Sequence, residues 1–306
     1  MAVNKTGIRR IALWDKANTE TGIIVLSMRQ GGKLTIMDKE DIKDFRSRAL
    51  PDMVNVKVEG TSYDIGRPML YYLLTHVAAD GASAEVITRK TASTPTYDGI
   101  FSFTGDNYLG LDFEYGITQK ERNAKITLEA SFENAVAKAI INDAVTNNTV
   151  NALSGFNETD FLTAAYRPAY FAFAKYGTSD TTLFEKDEIV SRKLTVRTKG
   201  NKTAYDRTIV NYLEVMFEVE LVKSSKTDIK NFWDISPFAP KLTLQETDPS
   251  SKFEKHIFNE GVLALTRESG IADDSRTVKL KFAGDVPMDS VVGAESSGSY
   301  TYTYSV

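Results

Sequence analysis

The chain has no cysteine among its 306 residues. Disulfides, thiolate nucleophiles, Cys-ligated zinc and iron–sulfur clusters are excluded together, because each needs a sulfur. Histidine is nearly absent: His76 and His256 are the only two, which leaves little imidazole for acid–base chemistry or metal binding. No apolar run approaches the roughly 20 residues that a membrane-spanning helix needs. The nearest, Met69-Leu70-Tyr71-Tyr72-Leu73-Leu74, is followed at once by Thr75. The opening Met1-Ala2-Val3-Asn4-Lys5-Thr6-Gly7-Ile8-Arg9-Arg10 has no apolar core of a secretory signal. These absences predict a soluble chain made in a cytosol, with no membrane partner. A net charge of −4 lacks the excess of Lys and Arg that a general polyanion binder uses against phosphates. No H-E-x-x-H, G-x-S-x-G or G-x-G-x-x-G occurs, so zinc proteolysis, serine hydrolysis and dinucleotide binding lose their usual signatures. The expectation is a protein that is no enzyme and carries no cofactor and no metal.

What is present is alternation. Leu109, Leu111, Phe113, Tyr115 and Ile117 interleave with Gly110, Asp112, Glu114 and Gly116, the period of a strand with one buried and one wet face. After the polar turn from Thr118 to Asn123 the period resumes with Ala124, Ile126, Leu128 and Ala130, which predicts an antiparallel hairpin. Ser131 reads as a helix cap, Glu133 as a first-turn anion, and Phe132, Val136 and Ile140 as one helical face. A helix is expected over about 132–145.

Shorter pieces follow the same logic. Ile24, Leu26 and Met28, then Gln30-Gly31-Gly32-Lys33, then Leu34 and Ile36 read as a hairpin with a glycine turn, a reading preferred to a phosphate loop because the upstream glycine is missing. Val54, Val56 and Val58 mark a further strand. Pro68 opens a predicted helix from Met69 to about Ala79. From Asn147 to Asp187 no period is sustained, so this aromatic stretch reads as a loop or arm. Leu194, Val196 and Thr198 alternate with Lys193, Arg197 and Lys199; Leu213, Val215, Phe217, Val219 and Leu221 alternate with Glu214, Glu218 and Glu220. Paired antiparallel, the basic and acidic wet faces favour one register. Val278, Leu280 and Phe282 give one more strand. Tyr300, Tyr302 and Tyr304 form an aromatic end strand after a Ser-Gly linker, expected slightly more to dock on a neighbour's sheet than on its own.

Other constellations read as structure. His76 reads as a packing residue on its helix, His256 shows no second ligand, and Asp273-Asp274 reads as a solvated turn without the spaced oxygens of a calcium loop. Tyr166-Arg167-Pro168 and Lys175-Tyr176 carry too little charge to lead as a base-stacking surface.

The order of hairpin then helix, from Leu109-Gly110-Leu111-Asp112-Phe113-Glu114-Tyr115 through Lys125-Ile126-Thr127-Leu128-Glu129-Ala130-Ser131, resembles phage tail tube proteins, over strands from Val54 to Leu221. The resemblance implies an α+β, β-dominated fold: an antiparallel β-sandwich or barrel with a flanking helix and long loops or arms. It implies residues 1–236 as the tube-like domain, with helix 132–145 and arm 147–187, and 237–306 as a β-rich elaboration or second small domain. It further implies a virion structural protein, assembled in the cytoplasm of a bacterial host, whose hexameric rings stack into a tube beside other virion proteins and pass DNA without sequence-specific binding. The candidate assembly residues are Lys193, Arg197, Glu214, Glu218, Glu220, Tyr300, Tyr302 and Tyr304. Long alternating strands independently favour self-assembly, because a solitary protein must cover its sheet edges. The alternatives are a phage capsid protein and, in another class, a glycan-binding β-sandwich that stacks sugars on Tyr166, Tyr170 and Tyr176.

Overall fold

The computed structural model describes residues 7–15, 24–27, 30–39, 53–62, 81–89, 97–118, 122–146, 170–176, 181–185, 189–222, 241–247, 253–272, 275–292 and 298–305, with residues 70, 73, 74, 230 and 232–235 between them. In chain order the elements begin with β1 (Gly7–Asp15), β2 (Ile24–Ser27), β3 (Gln30–Asp38), β4 (Met53–Ser62), β5 (Ala82–Arg89), β6 (Tyr97–Phe103), β7 (Gly110–Thr118), β8 (Arg122–Glu133) and the helix α1 (Asn134–Thr146). There follow β9 (Tyr170–Tyr176), β10 (Thr181–Glu185), β11 (Ile189–Lys202), β12 (Thr208–Val222), β13 (Leu242–Thr247), β14 (Phe253–Phe258), β15 (Ala264–Ala272), β16 (Ser275–Pro287), β17 (Val291–Val292) and β18 (Tyr300–Tyr304).

The chain is β-dominated with antiparallel sheets and a flanking helix, as the sequence predicts. Three sheets form: eight strands in the order β15-β16-β12-β11-β7-β8-β4-β3, six in the order β10-β9-β13-β14-β18-β17, and four in the order β2-β1-β5-β6. The short β17 is parallel to β18; the other described pairings are antiparallel.

Periodicity explains the core. Leu111, Phe113, Tyr115 and Ile117 of β7, with Leu213, Val215, Phe217, Val219 and Leu221 of β12, are buried on one face of the large sheet. Each such side chain removed from water contributes about 1.5–3 kcal/mol. Phe217 faces Phe282 of β16 across the ladder, rings tilted at 6.1 Å. Leu242, Leu244, Phe258, Tyr300 and Tyr302 of the six-stranded sheet are buried in the same core. In β5 every residue from Ala82 to Ile87 is buried, the mark of a central strand covered on both faces.

The predicted hairpin of β7 and β8 forms, with Leu111 opposite Leu128 and Phe113 opposite Ile126. So does the pairing of β11 with β12, which sets Lys193 opposite Glu218 and Arg197 opposite Glu214. The helix starts later than the sequence implies. Ser131, Phe132 and Glu133 continue β8, the Ser131 hydroxyl bonds to Asp206 instead of capping α1, and Phe132 stacks on Phe103 at 6.0 Å. Val136 and Ile140 do turn inward.

Three other expectations are corrected. Residues 24–36 make no hairpin: β2 pairs with β1 and β3 with β4, in different sheets, while Gly31 and Gly32 fall in a register shift between Gln30 and Lys33. Glycine's freedom serves a bulge there, not a turn. The aromatic stretch 147–187 is not all loop, since β9 and β10 pair within it and β9 joins β13; 147–169 lie outside the described residues. The strands after position 237 join sheets with those before it, β16 pairing with β12 and β13 with β9. The end strand β18 lies in its own chain's sheet between β14 and β17. Of the predicted helix after Pro68, Leu70, Leu73 and Leu74 are helical and buried, and the rest lies outside the described residues.

Candidate assembly surface

Side chains alternate across a strand, so the face of the eight-stranded sheet turned away from the core collects the polar half of every alternation. The result is a set of charge stripes. Lys193, Arg197 and Lys199 of β11 stand beside Glu214, Glu218 and Glu220 of β12, and the register then places Lys281 opposite Glu218 and Lys279 opposite Glu220. Arg197 pairs with Glu214, Lys199 with Asp285 at 2.8 Å and Lys281 with Glu218 at 3.4 Å. The hydrogen bond to Glu214 raises the Arg197 guanidinium above its ordinary range, and that to Asp285 does the same for Lys199. Exposed pairs of this kind add little stability; their effect is on register and on what the face attracts. Two hollows open on it, one of about 590 Å³ among Lys193, Glu218, Glu220, Glu268, Lys279 and Lys281, the other of about 560 Å³ among Glu114, Arg197, Lys199, Glu214 and Asp285. Both signs line each hollow. Such a surface offers ion pairs to a complementary protein face instead of a single-sign field.

The turn joining β11 to β12 folds back over this face. Asp206 adopts a left-handed φ of 56°, and its carboxylate accepts from Lys39 at 2.8 Å, Ser131 at 2.5 Å and Asn55 at 3.4 Å. Burial alone would raise that carboxyl, but the Lys39 and Ser131 bonds outweigh it and hold it below its usual range. The Ser131 amide donates to the Tyr205 carbonyl at 2.7 Å, while Arg207 covers the Tyr108 ring at 4.2 Å and donates to the Asp106 carbonyl. The turn is thereby tied to strands β8 and β4 and to the end of β3.

Beneath the wet face, buried charge joins the two larger sheets. Arg122 of β8 grips Glu254 of β14 through two bonds of 2.5 and 2.8 Å, and Arg192 of β11 meets Glu246 of β13 at 3.0 Å. All four side chains are shut off from water. Glu254 also accepts from His256 Nε2 at 3.0 Å, and His256 Nδ1 lies 2.8 Å from the Tyr300 hydroxyl. Because a carboxylate only accepts, Nε2 donates to Glu254, and Nδ1 shares a hydrogen bond with the Tyr300 hydroxyl, so both ring nitrogens are used. Burial pushes the hydroxyls of Tyr115, Tyr300 and Tyr302 well above their ordinary range.

The sequence reading left these pairs out, and the signal was present. Glu246 continues the inward positions Leu242 and Leu244; Glu254 shares parity with Phe258, Arg122 with Ala124 and Ile126, Arg192 with Leu194 and Val196. A charge on a core-facing position is a prediction of a buried partner.

Of the candidate assembly residues, Lys193, Arg197, Glu214, Glu218 and Glu220 come together on the wet face, whereas Tyr300 and Tyr302 are fully buried and Tyr304 is half-buried in the core of their own chain. Tyr170 and Tyr176 stand at opposite ends of β9. His76, Tyr166, Arg167, Pro168, Asp273 and Asp274 lie outside the described residues. No helix among the described residues is long and apolar enough to cross a membrane. Neither the family models nor the curated proteins include a match to this chain.

Proposed function

We propose that this chain is a virion structural protein whose copies close into rings through their sheet edges and stack as the tail tube of a phage, a conduit for DNA. The observation that carries this reading is the state of the eight-stranded sheet's two edges. β3 and β15 are nine residues each, and neither has a strand on its outer side among the described residues. Every pairing between them is antiparallel. With eight strands, the two edges therefore run in opposite directions. A rotation that brings β3 of one copy beside β15 of the next sets them antiparallel, core face continuing core face, so the alternation runs unbroken around a closed ring. An exposed edge of this length is an aggregation hazard in a solitary protein, and ring closure removes it. Lys33 on β3 and Glu268 on β15, both exposed, carry opposite charge at mid-strand.

Negative-stain electron microscopy of the full-length protein over a range of concentration and salt is the test. Rods or stacked rings of uniform diameter are expected. Closed shells would favour the capsid reading, and a strict monomer at every concentration by light scattering would overturn self-assembly.

A further inference from the structure

The wet face of the large sheet is charged along its middle, and the large apolar side chains exposed among the described residues stand at the two ends of the sheet, Ile271 and Trp233 on its core-facing side and not on the wet face. Eight large hydrophobic residues are exposed among the described residues. Four belong to the end at which β12 begins: Tyr205 in the turn, Ile209 and Tyr212 on β12, and Met37 on β3. Met37 belongs there because it stands opposite Asn55, whose amide bonds to Asp206 of that same turn. The other four belong to the end at which β12 finishes: Val222, Val190 beside it at the start of β11, Ile271 near the end of β15, and Trp233. Trp233 is fixed there by a 2.9 Å bond from its indole N–H to the Ser269 hydroxyl. Ile209 and Val222 are separated by about 40 Å of extended strand. Between Tyr212 and Val222 the outward positions hold Glu214, Glu218 and Glu220, with only the half-buried Met216 to interrupt the charge.

We infer that these two ends are the surfaces on which one copy of the chain docks head to tail on the next, the first end of one seated against the second end of its neighbour. The inference rests on the assembly reading and names the contact that extends a ring into a tube. A second copy is the partner that satisfies both ends at once, because each copy presents two apolar ends that point in opposite directions along the strands. A contact between unlike ends is heterologous and does not close, so it propagates along the strand axis. The areas agree: the four side chains at either end expose roughly 400 Å² each way, about half of the roughly 800 Å² per partner in a standard interface whose remainder is polar rim. Ion-paired side chains stand ready as that rim, Lys199 with Asp285 and Lys202 with Glu129 at the first end, Lys230 with Asp234 beside Trp233 at the second.

Two double variants test this, Ile209→Ser with Tyr212→Ser at the first end and Val222→Ser with Ile271→Ser at the second. All four positions are exposed, and retention of rings by sedimentation velocity reports that each variant still folds. Each variant alone is expected to keep its rings and lose rods, with the concentration needed for rod growth raised about tenfold or more. Mixed together, they are expected to form ring pairs that grow no further, because one intact end of each kind remains to meet the other. Rods of wild-type length from either variant would overturn the inference while leaving ring formation standing. Ring pairs from a single variant alone would also overturn it, since they require like ends to meet. Absence of both rings and rods from the wild-type chain would overturn the assembly reading itself.

Discussion

The Arg122 guanidinium lies flat against the Glu254 carboxylate, Nη1 to Oε2 at 2.5 Å and Nη2 to Oε1 at 2.8 Å, with both side chains sealed between the two larger sheets. A second Arg–Glu pair, Arg192 with Glu246, repeats the arrangement between β11 and β13. Apolar surfaces can slide over one another at small cost; two buried ion pairs admit one relative placement, because any other leaves charge without a partner.

Replacing Arg122 by Met is therefore expected to cost about 3–5 kcal/mol, the penalty for a carboxylate left buried without its cation. Urea unfolding midpoints measure it. The double variant Arg122→Met/Glu254→Leu removes both charges and is expected to recover part of the loss. A single variant as stable as the wild type would mean that the pair does not hold the sheets.

The same carboxylate sets an acid limit. Burial would raise Glu254, yet the Arg122 charge and the His256 bond prevail and hold it far below its free value of 4.5. Below that value the unfolded chain takes up a proton that the folded chain refuses. The stabilisation is whole above pH 4.5 and is lost progressively as pH falls toward the folded value. Unfolding midpoints from about pH 6 to about pH 3 are expected to fall in the acid limb, and Glu254→Gln to flatten that limb by at most about 1.4 kcal/mol per pH unit.

Gly110 is where the start of β12 crosses β7. A Cβ at this position would fall inside the Thr208 amide and the Arg207 backbone, so Gly110→Ala is expected to cost about 3 kcal/mol or more through forced backbone movement. Gly105 has a φ of 59° but open space around it, and Gly105→Ala is expected to cost only about 1–2 kcal/mol. Thermal unfolding of the two variants side by side checks the order.

Removal of residues from Gly298 onward takes Tyr300 and Tyr302 out of the core, along with the ladder to β14 and the stacking of Tyr300 on Phe258 at 4.6 Å. The truncated chain is expected to lose cooperative unfolding by circular dichroism. A well-folded truncated chain that fails only to polymerise would return the strand to an inter-subunit role.

Lys33→Glu and Glu268→Lys each set like charges near mid-strand if β3 of one copy meets β15 of another, and each is expected to weaken ring formation; the double variant restores the opposite pair and is expected to recover it. Ring yield by sedimentation velocity gives the comparison. Losses that simply add in the double variant would show that these edges do not meet.

What the sequence by itself determined is local. Alternation at period two placed β7, β8, β11, β12 and β16 and assigned each residue's face, and a short polar turn was enough to pair β7 with β8. Opposite charge on Lys193, Arg197, Glu214 and Glu218 favoured an antiparallel pairing of β11 with β12, and the structure supplies which residue faces which. The face of α1 was legible from Val136 and Ile140, but its start was not, because Phe132 suits an inward position in a strand or a helix equally well.

Tertiary structure decided the partners. Ile24 to Ile36 has the sequence of a hairpin, yet β2 pairs with β1 and β3 with β4, in different sheets. β9 finds β13, and the aromatic strand β18 finds β14, across long intervals of chain that no period spans. Periodicity reports which side of a strand is dry; it carries no information on what lies across the gap. Glu254 could therefore be recognised as a charge on a buried position, but only the packing of one sheet on another could supply Arg122 to neutralise it.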